Sequence, residues 1–196
     1  MQRILIVFLF GGCAADLEAT NNGGRLGGQV QEPELAIQTS FADEGNLTTV
    51  DASNYDEWVY FSFQSPVEKI EIDSPESDHS WDLGFRRFHI KLNGGVSGSG
   101  AGSLSFTDSD DFESFSTVGR TFSTDAEDGD DENDDLDLAF LVAGDGWYEY
   151  EKTILTPRKR IYAVTAADGE NYKLRIENYY DDAGSAARVS FTWLPF

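Results

Sequence analysis

The sequence predicts an all-β fold: a predominantly antiparallel single domain with long acidic and glycine-rich loops. Three observations predict it. Short stretches alternate apolar and polar residues with a period of two, as in Ala187–Trp193, where Val189, Phe191 and Trp193 share one face. Asp168-Gly169 stands between two further strand-like stretches, Ile161–Ala166 and Tyr172–Tyr180, and is a strong hairpin signal. No segment carries the 3.6-residue apolar period of a long amphipathic helix.

Composition narrows the function. The 196 residues suffice for one domain with a real core once an N-terminal processing segment is set aside. A formal net charge of −22 excludes nucleic acid as a partner, because a polyanion needs a basic face. An aromatic content of 13% argues against a wholly disordered acidic chain.

The N-terminus has the layout of an export signal. Met1-Gln2-Arg3 supplies a positive start, Ile4–Phe10 an apolar run too short to span a bilayer, and Gly11-Gly12 small residues before Cys13. This ending resembles a bacterial lipobox, with Phe10 where Leu is usual, and assigns Cys13 as a lipidation site. The other reading is an ordinary secretory signal with an incidental cysteine. As the single cysteine, Cys13 excludes an intramolecular disulfide. The expected organisation is a signal peptide over residues 1–12, a Gly-rich tether over 13–36 and a β domain over 37–196.

Along the domain, Glu57–Phe63 reads as a strand with both faces covered, and Val67–Ile72 as a short half-buried one. Asp73–Ser80 is a polar loop. In the next stretch Trp81, Leu83 and Phe85 alternate on odd numbers and Phe88, Ile90 and Leu92 on even ones. A single strand can keep both triplets inward only through a bulge, which is expected at Arg86-Arg87. His89 and Lys91 then point away from the core. Ser97–Gly102 reads as a flexible loop; it lacks the Lys-Ser/Thr of a phosphate loop. Ser103–Phe106 offers a short strand and Ala139–Ala143 a short apolar element. Between them, Thr124–Asp137 is a dense acidic run read as solvated, with calcium binding the weaker alternative because EF-hand spacing is missing.

Three blocks in order carry a family resemblance: WDLGFRR-x3-KLNGGVSG (Trp81–Gly98), YAVTAADGENYKLRIENYYDDAG (Tyr162–Gly184) and VSFTW (Val189–Trp193). Together they resemble the HmuY family from about Trp58 to the end, least between Phe106 and Asp145. The resemblance implies a β-stranded, surface-exposed lipoprotein of the bacterial envelope. Founding members bind haem and pass it to an outer-membrane uptake system, the iron held by two axial histidines or, in some relatives, methionines. It further implies capture without catalysis, haem or a haem-carrying protein and an outer-membrane receptor as partners, and contact with the membrane through the lipid anchor only. The expected location is exported, at the bacterial outer membrane or cell surface. The alternative is a non-haem surface lipoprotein of the same fold with an interaction or envelope-structural role.

Candidate site residues follow from that implication. The only histidines are His79 and His89, and the sole methionine, Met1, lies in the signal, so a methionine pair is excluded and a histidine pair would use both. Arg86, Arg87 and Lys91 form a basic cluster for propionates, and Arg158-Lys159-Arg160 a second. Trp81, Phe85, Phe88 and Trp147 are candidate apolar walls. Each has a plainer reading: exposed or strand-surface histidines, cations offsetting nearby acids, aromatics packing the core. Tyr179 and Tyr180 read as packing residues rather than phenolate ligands. Two histidines and no remaining cysteine give no support for a catalytic constellation.

Overall fold

A computed structural model describes residues 35–196 except 114, 118 and 130–135. The segments expected to be signal peptide and tether, up to residue 34 and including Cys13, therefore lie outside the described residues, as does part of the acidic run.

The large sheet is built from β1 (Ile37–Ser40), β2 (Asn46–Asp51), β6 (Ser103–Thr107), β9 (Ile161–Thr165), β10 (Asn171–Tyr180) and β11 (Ala186–Pro195). Its six antiparallel strands run in the order β1-β2-β11-β10-β9-β6. β9 and β10 form the hairpin expected around Asp168-Gly169, closed by Gly169 N–H donating to Ala166 O at 3.0 Å. In β10 and β11 the alternation places Tyr172, Leu174, Ile176, Val189, Phe191 and Trp193 inward, with Ile176 opposite Phe191 and Leu174 opposite Trp193. The edge pair β1 and β2 had no expected counterpart; NLTTVD is too polar to read as a strand without its partner β11.

A second sheet of β3 (Val59–Phe61), β4 (Leu83–Arg86) and β5 (His89–Leu92) packs on the inner face of the first. The two meet through aromatic rings: Phe85 stacks on Phe191 at 5.5 Å, and Phe61 meets Phe191 edge-on at 5.3 Å. Phe191 is fully buried, a contribution of about 1.5–3 kcal/mol for that side chain alone. β7 (Tyr148–Glu151) and β8 (Ile154–Pro157) form a separate two-stranded hairpin, and α1 (Ala139–Val142) is a single turn.

Two expected elements differ. Val67–Ile72 is not a strand; Ile70 alone bridges, to Tyr60. The bulge at Arg86-Arg87 is replaced by a hairpin whose two-residue turn is Arg87-Phe88, with Arg87 at φ 56°. Leu83 pairs with Leu92 and Phe85 with Ile90. Folding back through two residues makes odd and even positions partners, so both apolar sets face the core without an extra residue.

Candidate functional site

Residues that β4 and β5 do not turn inward gather on the outer face of the small sheet. Lys91 sits opposite Gly84, and Arg86 opposite His89. A Cβ at Gly84 would meet Lys91 Cγ and Cε at 2.9 Å, so the absent side chain is what lets the lysine stem lie across the sheet. The Lys91 ammonium lies over three rings, 4.5 Å from the Trp58 centroid, 5.0 Å from Tyr60 and 5.1 Å from Trp81. It also donates to Tyr60 Oη at 3.2 Å. The Arg86 guanidinium covers Trp58 at 4.7 Å. His89 stacks on Phe88 at 4.1 Å, and its Nδ1 lies 3.2 Å from Arg86 O.

These groups line a cavity of about 270 Å³ whose walls include Trp58, Glu76, Arg86, His89, Lys91 and Leu138. Two guanidinium or ammonium cations, an imidazole and an indole thus converge in a chain of net charge −22. Burial pulls the Lys91 pKa down to about 8, against the opposing pull of Glu76 and Asp125. Lys91 is therefore a cation that titrates near physiological pH.

The structure brings Arg86, His89 and Lys91 together and places the other expected residues elsewhere. Arg87, at the turn, stacks on Tyr55 at 4.3 Å and donates to Ser53 O at 3.2 Å. His79 is exposed in a different, open cleft with Asp73 and Asp78, its Nε2 2.8 Å from Ser99 Oγ. Trp81 is fully buried beneath Lys91, its indole N–H donating to Pro75 O at 3.0 Å. In the second basic cluster Arg158 pairs with Glu149, Lys159 with Asp110 and Arg160 with Asp108, so these cations offset acids. Tyr179 packs against Trp147 and Tyr180 Oη accepts from Leu155 N–H, both as packing residues.

Sequence reasoning missed Trp58, Tyr60 and Asp125. Trp58 and Tyr60 share a face by parity, but only tertiary pairing shows that face opposite Lys91. Asp125, expected to be solvated, is 1% exposed and accepts from Leu92 N–H at 2.9 Å and Ala139 N–H at 2.8 Å. It thereby ties the end of β5 to the start of α1 and fixes the Leu138 wall of the cavity. The glycine segment, expected to be a flexible loop, is tied to Asn93, with Ser99 and Ala101 exposed. Asn93, 0% exposed, donates from Nδ2 to Asp78 O and Trp81 O at 2.7 and 2.8 Å and accepts from Gly100 N–H at 3.1 Å. A Cβ at Gly102 would collide with the Asn93 backbone.

The architecture defines a class first: an antiparallel β scaffold presenting a cation-and-indole cavity beside a central hairpin. The chain belongs to the HmuY family, whose family model, described as HmuY protein, matches residues 54–193. Solved structures share the fold at low identity. A predicted lipoprotein from Bacteroides fragilis aligns with TM-score 0.59 and 19% identity, covering 83% of this chain and 97% of that one. A predicted HmuY-like haem-binding protein from Bacteroides vulgatus gives TM-score 0.58 and 17% identity over 83% and 99%. The apo HmuY analogue of Tannerella forsythia gives 0.55 and 17% over 84% and 97%. No curated protein matches the chain.

The residues present fit haem in part. Arg86 and Lys91 suit carboxylates, Trp58 suits a flat apolar face and His89 is an imidazole donor. At about 270 Å³ the cavity has room for an edge of a macrocycle rather than the whole, ligand pockets commonly being about 300–1,000 Å³. His79 lines another cleft, so the two histidines do not share this cavity.

Proposed function

We propose that this protein binds haem or a related porphyrin at the hairpin cavity, captures it at the cell surface and hands it on for uptake, without catalysing any reaction. The observation that carries the reading is the convergence of Arg86, Lys91, His89 and Trp58 on one cavity of an otherwise strongly acidic member of the HmuY family. Arg86 and Lys91 hold carboxylates, Trp58 lies along the ring edge, and His89 offers its imidazole to the metal. Bound haem supplies iron as cargo, and the protein's part is positioning and desolvation. Export and acylation at Cys13 would keep the domain at the outer membrane or cell surface, and Cys13→Ser would release it into the medium.

Haemin titration tests the reading. A saturable, shifted Soret band is expected, weakened about tenfold or more in Arg86→Gln/Lys91→Gln and altered in position by His89→Ala. An unshifted, non-saturable band refutes it. A second reading, a family member that retains the fold for interaction without haem, is favoured by one observation: His79 and His89 occupy different cavities. A porphyrin that binds without iron as tightly as haemin, with no effect of His89→Ala, would separate ring recognition from axial ligation.

A further inference from the structure

The other side of the central hairpin carries a second cavity of different chemistry. It measures about 390 Å³ and lies among Arg87, Phe88, Tyr148, Tyr150, Leu155 and Tyr180, with Tyr179 at its base. Arg86 and His89 face the first cavity while Arg87 and Phe88, the turn between them, face this one. Its walls are rings: Phe88 meets Tyr148 edge-on at 5.9 Å, and Tyr179 meets Tyr180 edge-on at 5.1 Å. Such faces and edges select a flat aromatic guest. Burial pushes the Tyr148 and Tyr179 phenols up, so both stay neutral. The charge at the rim comes from Arg87, whose position is fixed by its stack on Tyr55 and its bond to Ser53 O. A guanidinium has five N–H donors in a fork that matches a carboxylate.

One wall belongs to the β7–β8 hairpin, whose turn residues Lys152 and Thr153 both have left-handed backbone, at φ 49° and 70°. A two-residue hairpin turn requires positive φ at its central residues, so the tight turn itself accounts for this backbone and fixes the wall in place. Thr153 itself lines the cavity, and Tyr150 on the same hairpin is 66% exposed at its lip. A large exposed ring beside a ring-lined cavity is a ready contact for a ligand.

We propose that this tyrosine-lined cavity is a second binding site, taking a planar aromatic acid of one or two fused rings, with Arg87 on the carboxylate and the tyrosines around the ring. It is independent of the proposed haem reading and stands or falls separately. The test is calorimetric titration of the purified full chain with 2-naphthoate and with its neutral analogue 2-naphthamide. Saturable one-site binding of naphthoate is expected, weakened about tenfold by Arg87→Gln, with naphthamide binding weaker and insensitive to that change. Tyr150→Ser, at an exposed position that should leave folding intact, is expected to weaken both ligands. The proposal is overturned by the lack of saturable binding, by indifference to both variants, or by loss in Lys91→Gln, which would move naphthoate to the first cavity. Haemin binding is read separately in the same variants and is expected to be unchanged in Tyr150→Ser.

Discussion

Lys91 and Asn93 stand two residues apart at the end of one strand, yet they serve opposite purposes. Around Asn93 buried polar groups have been taken from water and given partners. Its amide binds three backbone groups, and neighbouring Asp82 accepts from Phe63 N–H, Ala167 N–H and Ser62 Oγ. Around Lys91 cations are gathered with few acids and left half-exposed against rings. One short segment is thus both keel and site. Satisfied buried polar groups lock the backbone, because breaking any of them exposes an orphan in low dielectric. Charges kept near solvent and near one another are poorly suited to stability and well suited to meeting an anion.

The contrast predicts that stability and binding separate by position. The largest effect is expected at Asn93→Ala, which orphans Gly100 N–H and two carbonyls and should cost about 3–5 kcal/mol. Urea unfolding measures it; a loss below about 1 kcal/mol would break the contrast. Next, Lys91→Gln should weaken haemin about tenfold while moving the urea-derived stability by less than about 1 kcal/mol. In the unaltered protein, affinity should fall as pH rises through about 8, where Lys91 loses its proton, and the variant should lack that step.

The polar keel has its own pH signature. Burial raises the Asp82 and Asp125 pKa values despite the donors around each. A carboxylate whose folded pKa lies above its unfolded value costs stability when ionised. That cost applies fully above the folded pKa and is relieved as pH falls through it toward the unfolded value. The melting temperature should therefore rise as pH falls through the raised folded pKa values toward the ordinary carboxylate range, and Asp82→Asn combined with Asp125→Asn should flatten the rise. The smallest effect is expected at Gly84→Ala, which presses on the Lys91 stem and should cost about threefold in haemin affinity.

Local pattern carried much of this protein. The period-two runs of β10 and β11, the Asp168-Gly169 turn and the outward faces of His89 and Lys91 all follow from neighbours in the chain, since strand alternation and turn chemistry are local properties. The same holds for net charge and for the three blocks that place the chain in its family. What tertiary structure decided concerns parity and partners. Residues 81–92 admit either a bulged strand or a hairpin, because both bring the two triplets inward; pairing with β3 and the core chose the hairpin. An aspartate in an acidic run looks solvated until two backbone N–H groups, 33 and 14 residues away, converge on it. Arg86 and Arg87 are adjacent in sequence but separated by the turn, one to each cavity. Trp58, Tyr60 and Trp81 surround Lys91 only because the pairing of β3, β4 and β5 brings together the segments that carry them. Sequence sets what each residue can do to its neighbours; the distances that make a site are summed over the whole fold.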